Sequence, residues 1–122
     1  MPKRRKLVAV VDDDPSMLRA TESLLDAHGL AAITFSSAEE FLCRDQATEI
    51  DCLLLDIHLE GASGFELRLR LTAAGSTLPV IFMTAHDDDG MRRTAVQIGC
   101  IAYLRKPFPA HQLIDAIEKA VP

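Results

Sequence analysis

Short apolar runs recur along the chain at 7–11, 30–35, 52–55, 80–83 and 101–104, and a segment with helical spacing follows each of them. LVAVV, CLLL and VIFM are continuous rather than alternating, as expected of strands covered on both faces of a parallel sheet. Between the first two runs, Met17, Leu18, Thr21, Leu24, Leu25 and His28 form one helical stripe, and Gly29 suits the position just past its end. Asp14 directly precedes Pro15, a residue favoured at the first helical position, so Asp14 is expected to cap that helix. Ser37-Ala38-Glu39-Glu40 reads as a capping box ahead of Phe41 and Leu42.

Met91, Ala95 and Ile98 mark a fourth helix ending at Gly99, with Asp87, Asp88 and Asp89 as a solvated N-terminal turn beside the helix dipole. Ala110, Leu113, Ile114, Ile117 and Val121 mark a fifth, which starts near Pro109. FELRLRL (65–71) alternates strictly, which taken alone favours a strand. The surrounding alternation demands a crossover there, so a helix is expected, with Phe65, Leu69 and Thr72 on one side and Leu67 and Leu71 flanking. Five strand–helix units with right-handed crossovers imply an α/β fold. The leading topology is a single flavodoxin-like (βα)5 doubly wound parallel sheet with strand order 2-1-3-4-5.

In such sheets ligands bind beyond the carboxyl ends of the strands, at the point where the strand order reverses. The first strand is followed by Asp12, Asp13 and Asp14, the third by Asp56, the fourth by Thr84 and Ala85, and the fifth by Arg105, Lys106 and Pro107. Order 2-1-3-4-5 makes the first and third strands neighbours, which gathers Asp12, Asp13 and Asp56, with Thr84 and Lys106 arriving from the next two. Like charges about 4 Å apart repel by roughly 4 kcal/mol at an effective dielectric near 20, so this cluster calls for protonation or a cation. Hard oxygen ligands at an open edge fit Mg²⁺, and a nearby hydroxyl and lysine suit phosphoryl oxygens. The pattern points to magnesium-assisted phosphoryl chemistry on a carboxylate nucleophile.

Composition narrows the setting. The 122 residues suit one domain, and a net charge of −5 argues against direct nucleic-acid binding, which draws on Lys and Arg. The basic leader PKRRK (2–6) reads as a solvated tail, and the apolar run after it is too short for a signal peptide. No stretch has the length of a membrane span. Cys43, Cys52 and Cys100 lack metal-site spacing and read as small core residues of a reducing, cytoplasmic compartment.

The chain resembles the receiver domain of two-component response regulators from about residue 7 to 120, leaving 1–6 as a leader. The resemblance rests on VVDDD at the first strand, LLLDIHLEGASG around the third, MTA at the fourth and AYLRKPF at the fifth. SSAEEFL, and the sequence from AYLRKPF onward, look most like the FixJ-type receivers of DNA-binding regulators.

The resemblance implies that Asp56 accepts a phosphoryl group from the phosphohistidine of a sensor histidine kinase. Asp13 and Asp56 would bind Mg²⁺ directly, Asp12 mostly through water, and the His58 backbone carbonyl would be a further ligand. Thr84 and Lys106 would contact the phosphoryl group with the amides of His58 and Ala85. Tyr103 would follow Thr84 on activation, and Lys106–Pro107 would be cis. The face built from the fourth helix, fifth strand and fifth helix would serve homodimerisation or output, with a DNA-binding output domain possible beyond this chain. The protein would be a signalling switch rather than a conventional enzyme, catalysing only its own phosphotransfer and autodephosphorylation.

Glu60 stands where the family usually has proline, which is expected to loosen that loop and add charge near the site. His58 and His86 flank the site, either as loop imidazoles or as groups bearing on water access. His28 and His111 sit in helix patterns and need no function. Two rival readings are a haloacid-dehalogenase-like phosphatase, using the DxD of Asp12 and Asp14, and a receiver-like binding module that is never phosphorylated.

Overall fold

The apolar runs become five parallel strands in a computed structural model that describes residues 5–122: β1 (Leu7–Val11), β2 (Ala31–Phe35), β3 (Cys52–Asp56), β4 (Val80–Thr84) and β5 (Ala102–Arg105). Their order is β2-β1-β3-β4-β5, with every neighbouring pair parallel. The helices between and after them are α1 (Pro15–Ala27), α2 (Ala38–Leu42), α3 (Gly64–Ala73), α4 (Asp89–Ile98) and α5 (Ala110–Ala120).

Continuous apolar strands are required here because helices cover both faces of the sheet. Ala9, Val11, Leu53, Leu55, Val80 and Phe82 pack under α2, α3 and α4. Val8, Val10, Cys52, Leu54, Ile81 and Met83 pack under α1 and α5, against Leu25, Leu113 and Ile117. Each fully buried Leu or Val in these strands contributes about 1.5–3 kcal/mol.

The caps are local. Asp14 caps α1, accepting the Ser16 N–H at 2.9 Å. Ser37 caps α2, accepting the Glu40 N–H at 3.0 Å, while the Glu40 carboxylate takes the Ser36 hydroxyl rather than closing a reciprocal box on Ser37. Asp88 caps α4, accepting the Met91 N–H at 2.8 Å.

Four expectations need correction. In α3 the buried pair is Leu67 and Leu71, while Leu69 is 53% exposed and Thr72 is exposed. Residues four apart share a helix face and residues two apart lie about 200° around it, so a strict alternation cannot bury all its leucines. Cys43 is exposed rather than a core residue. His28 ends the α1 stripe in solvent, its Nδ1 2.8 Å from the Leu24 carbonyl oxygen. Residues 1–4 of the basic leader lie outside the described residues, but Arg5 and Lys6 are not a free tail. Arg5 pairs with Asp26 at 3.1 Å and Lys6 donates to the Val121 carbonyl, tying the start of β1 to α1 and α5. Among the described residues no helix is long and apolar enough to cross a membrane.

Candidate phosphoryl and metal site

The site forms where β1, β3, β4 and β5 end. Asp12 leaves β1 with its amide bonded to the Phe35 carbonyl of β2, and Asp56 is the last residue of β3. One carboxylate oxygen from each of Asp12, Asp13 and Asp56 lies within 4.8 Å of the others. Asp12 and Asp56 are buried and Asp13 is exposed, so the cluster opens to solvent through Asp13.

Lys106 reaches in from the end of β5, its own amide fixed to the Thr84 carbonyl at 2.8 Å. Its ammonium donates to Asp12 Oδ2 at 2.7 Å and Asp56 Oδ2 at 2.9 Å. The Lys106–Pro107 bond is cis. Burial pushes the Asp12 carboxyl up, with Lys106 pulling against it. Burial would push the Lys106 ammonium down, but its bonds to Asp12 and Asp56 outweigh that and hold it above its ordinary value. Three carboxylates against one ammonium leave an excess of negative charge on hard oxygen donors at an open edge. This donor set fits Mg²⁺, which takes a few carboxylates and keeps several waters.

Backbone amides orient the remaining oxygens. His58 N–H donates to Asp56 Oδ1 at 2.9 Å, Asp14 N–H to Asp12 Oδ1 at 2.9 Å, and His86 N–H to Thr84 Oγ1 at 3.0 Å. Thr84 is fully buried, and because its oxygen accepts there, its hydroxyl proton is free to donate elsewhere. Ala85, the next residue, is exposed at the mouth. The Glu60 N–H, which proline would lack, donates to Asp13 Oδ2 at 3.3 Å. Asp14 is taken up by its helix cap, so the DxD of the phosphatase reading has no second carboxylate in the cluster.

Tyr103 lies on β5 opposite Phe82 and packs on the α2–α3–α4 side of the core. Its hydroxyl is buried beside the Asp87 carboxylate, without a hydrogen bond of ordinary geometry. Beside it, the Asp87 carboxylate binds Arg92 through two bonds of 2.9 and 2.6 Å, and the Arg92 guanidinium stands 5.4 Å from the Tyr103 ring centroid. Asp87 is therefore not part of a solvated turn; its side chain is only 12% exposed. The bonds from Arg92 hold its carboxyl below the usual range. No local signal distinguishes Asp87 from Asp88 and Asp89, because the partner that singles it out sits on the next helix turn.

Burial first, then the polar contact and charge of the adjoining Asp87 carboxylate, push the Tyr103 phenol from its ordinary 10.0 up to about 12. An acid whose folded pKa is raised contributes stability in full below the unfolded value and loses it as pH climbs through the folded one. The denaturation midpoint is therefore expected to fall between pH 10 and about 12, and the part due to Tyr103 to vanish in Tyr103→Phe. With one tyrosine and no tryptophan in the chain, alkaline absorbance titration reads this phenol alone, and Asp87→Asn should move its midpoint down. A phenol titrating at its ordinary value would contradict the burial.

Two further features escape the sequence. A Cβ on Gly64 would stand 2.3 Å from the Asp56 carbonyl oxygen, so the start of α3 rests directly on the Asp56 backbone. An apolar groove of about 440 Å³ runs beside the site, lined by Met17, Leu24, Ala85, Lys106, Pro107 and Phe108 among others.

Comparison with known proteins agrees with this architecture. The family model described as the response regulator receiver domain matches residues 8–118. The response regulator protein TodT of Pseudomonas putida is 33% identical over 121 residues, covering 99% of this chain and 53% of TodT. The chain thus spans about half the length of the curated relatives it matches. The crystal structure of a response regulator receiver protein from Burkholderia phymatum superposes with a TM-score of 0.83 at 44% identity, covering 95% of this chain and 94% of that one. The crystal structure of FixJ-N gives a TM-score of 0.88 at 30% identity, over 97% and 94% of the two chains.

Proposed function

The chain belongs to the response regulator receiver domain family, and on that premise we propose that Asp56 accepts a phosphoryl group from the phosphohistidine of a sensor histidine kinase. The carrying observation is the placement of Asp56: one oxygen held by the His58 amide, the other by Lys106, beside two further carboxylates. As an Asp56 oxygen bonds to phosphorus, the phosphorus–nitrogen bond breaks and the imidazole nitrogen leaves with the electron pair. Receivers of this family generally bind Mg²⁺ at such an acidic pocket. Here Asp13, Asp56 and the His58 carbonyl would hold it, with Asp12 through water, and it would neutralise charge on the phosphoryl oxygens.

The chain's own groups do the rest. Lys106 exchanges a carboxylate contact for a phosphoryl oxygen. Thr84 donates its free hydroxyl proton there, and the amides of His58 and Ala85 would contribute further donors to the phosphoryl oxygens. The apolar groove beside Lys106 offers a seat for the partner that brings the phosphohistidine. Phosphorylation adds about −1.5 to −2 charge. Thr84 then moves toward it and Tyr103 follows, remodelling the α4–β5–α5 face for homodimerisation and output. A transcriptional role through a DNA-binding output domain fits the names of relatives such as the transcriptional regulatory protein FixJ. In this reading residues 7–120 form the receiver and 1–6 its leader, in a switch that works in the cytoplasm and catalyses only its own phosphotransfer and autodephosphorylation.

The test is direct. A small phosphodonor with Mg²⁺ should add one phosphoryl group, seen by intact mass, and removal of Mg²⁺ or Asp56→Asn should reduce labelling to background. Full labelling of the Asp56→Asn protein would overturn the assignment. Steady turnover of phosphomonoesters independent of Asp56 would favour the phosphatase instead.

A further inference from the structure

We propose that His58 and His86 together form a second cation site at the rim of the acidic pocket, one that takes an imidazole-seeking divalent ion such as Zn²⁺, Ni²⁺ or Cu²⁺. The two rings come from different loops, two residues past the ends of the adjacent strands β3 and β4, and meet with centroids 5.2 Å apart and planes at 87°. Both residues are exposed, so an ion has free entry. Each backbone is already fixed, His58 by its bond to Asp56 and His86 by its bond to Thr84, which limits the disorder that binding must remove.

The spacing suits chelation. Two imidazole nitrogens at about 2.0–2.1 Å from one tetrahedral ion place their ring centroids about 5 Å apart. The nearby carboxylates make the rim attractive to a cation, and donor chemistry separates the two sites. Carboxylates below suit Mg²⁺, whereas neutral imidazoles suit Zn²⁺, Ni²⁺ and Cu²⁺. Among the described residues the one grouping of three metal-ligating side chains is Asp12, Asp13 and Asp56, so the rim site offers two protein ligands and leaves its other positions to water. An ion shared by both rings would tie the β3–α3 and β4–α4 loops together. The site stands whether or not Asp56 is phosphorylated.

The experiment titrates the full chain with Cu²⁺ in saturating Mg²⁺, which occupies the carboxylates, and follows nitrogen ligation by electron paramagnetic resonance. Thermal unfolding with Zn²⁺ gives a second readout, because an ion bound only by the folded state raises Tm. One ion bound through two imidazole nitrogens is expected. Its affinity should fall at least tenfold in His58→Gln and in His86→Gln, with the Zn²⁺-dependent rise in Tm lost in both. His28→Gln and His111→Gln serve as controls and should change neither readout. Unchanged affinity in either rim variant, oxygen-only ligation, or loss of the signal in a control variant would overturn the proposal.

Discussion

Lys106→Met should cost the Mg²⁺-free protein about 3–5 kcal/mol of stability, because it leaves Asp12 and Asp56 buried without their shared cation. The ammonium sits 2.7 and 2.9 Å from two carboxylates whose side chains are 1% and 8% exposed. Methionine keeps most of the apolar stem, so the loss is one of charge rather than packing. Mg²⁺ should return part of it, since an ion that binds only the folded state stabilises by mass action. The gain on adding Mg²⁺ should therefore be larger in Lys106→Met than in the wild type. Asp12→Asn is the informative contrast: it relieves repulsion within the cluster and leaves Lys106 paired with Asp56, so it should cost far less. Urea denaturation with and without Mg²⁺ measures all three. Equal costs for the two substitutions would show that a lost bond matters more than the uncompensated charge.

Gly64→Ala should destabilise the fold by about 3 kcal/mol, at the upper end of ordinary overpacking. The new methyl would lie 2.3 Å from the Asp56 carbonyl oxygen and 2.8 Å from the Ile57 Cα, both backbone atoms that no rotamer change can move. The Gly64 amide also bonds the Ile57 carbonyl at 2.9 Å, so α3 cannot lift away without breaking the contact that anchors its first turn. Gly64→Ser should be equally damaging, because the Cβ and not its substituent is at fault. Since the displaced backbone carries Asp56, labelling by a small phosphodonor should slow as well. A denaturation midpoint within error of wild type would refute the close approach.

The strand order is the leading one of the few that the residue pattern leaves open, because continuous apolar runs alternating with capped amphipathic segments admit few right-handed solutions. That order in turn places Asp12, Asp13, Asp56, Thr84 and Lys106 at one edge, where the structure brings the three acids together and sets Lys106 between two of them. Asp14 is separable from its neighbours for a local reason, the proline after it. The α3 face misleads because strict alternation carries no helical phase. Leu67 and Leu71 face the sheet, and Phe65 comes to rest edge-on against Phe82, 5.1 Å away.

The pattern along the chain therefore carries the periodic and the local: element types, caps, a short list of topologies, and which residue types end each strand. Period and capping depend on residues within a few positions of one another, and the sheet converts strand order into neighbourhood. Packing in three dimensions sets which acid Arg92 selects, how closely Gly64 approaches Asp56, what the Glu60 amide holds, and that two loop imidazoles meet. Each of these turns on ångström-scale separations between side chains or backbones carried by different elements or loops. Such distances are set by how whole helices and strands pack, and no pattern along the chain encodes them directly.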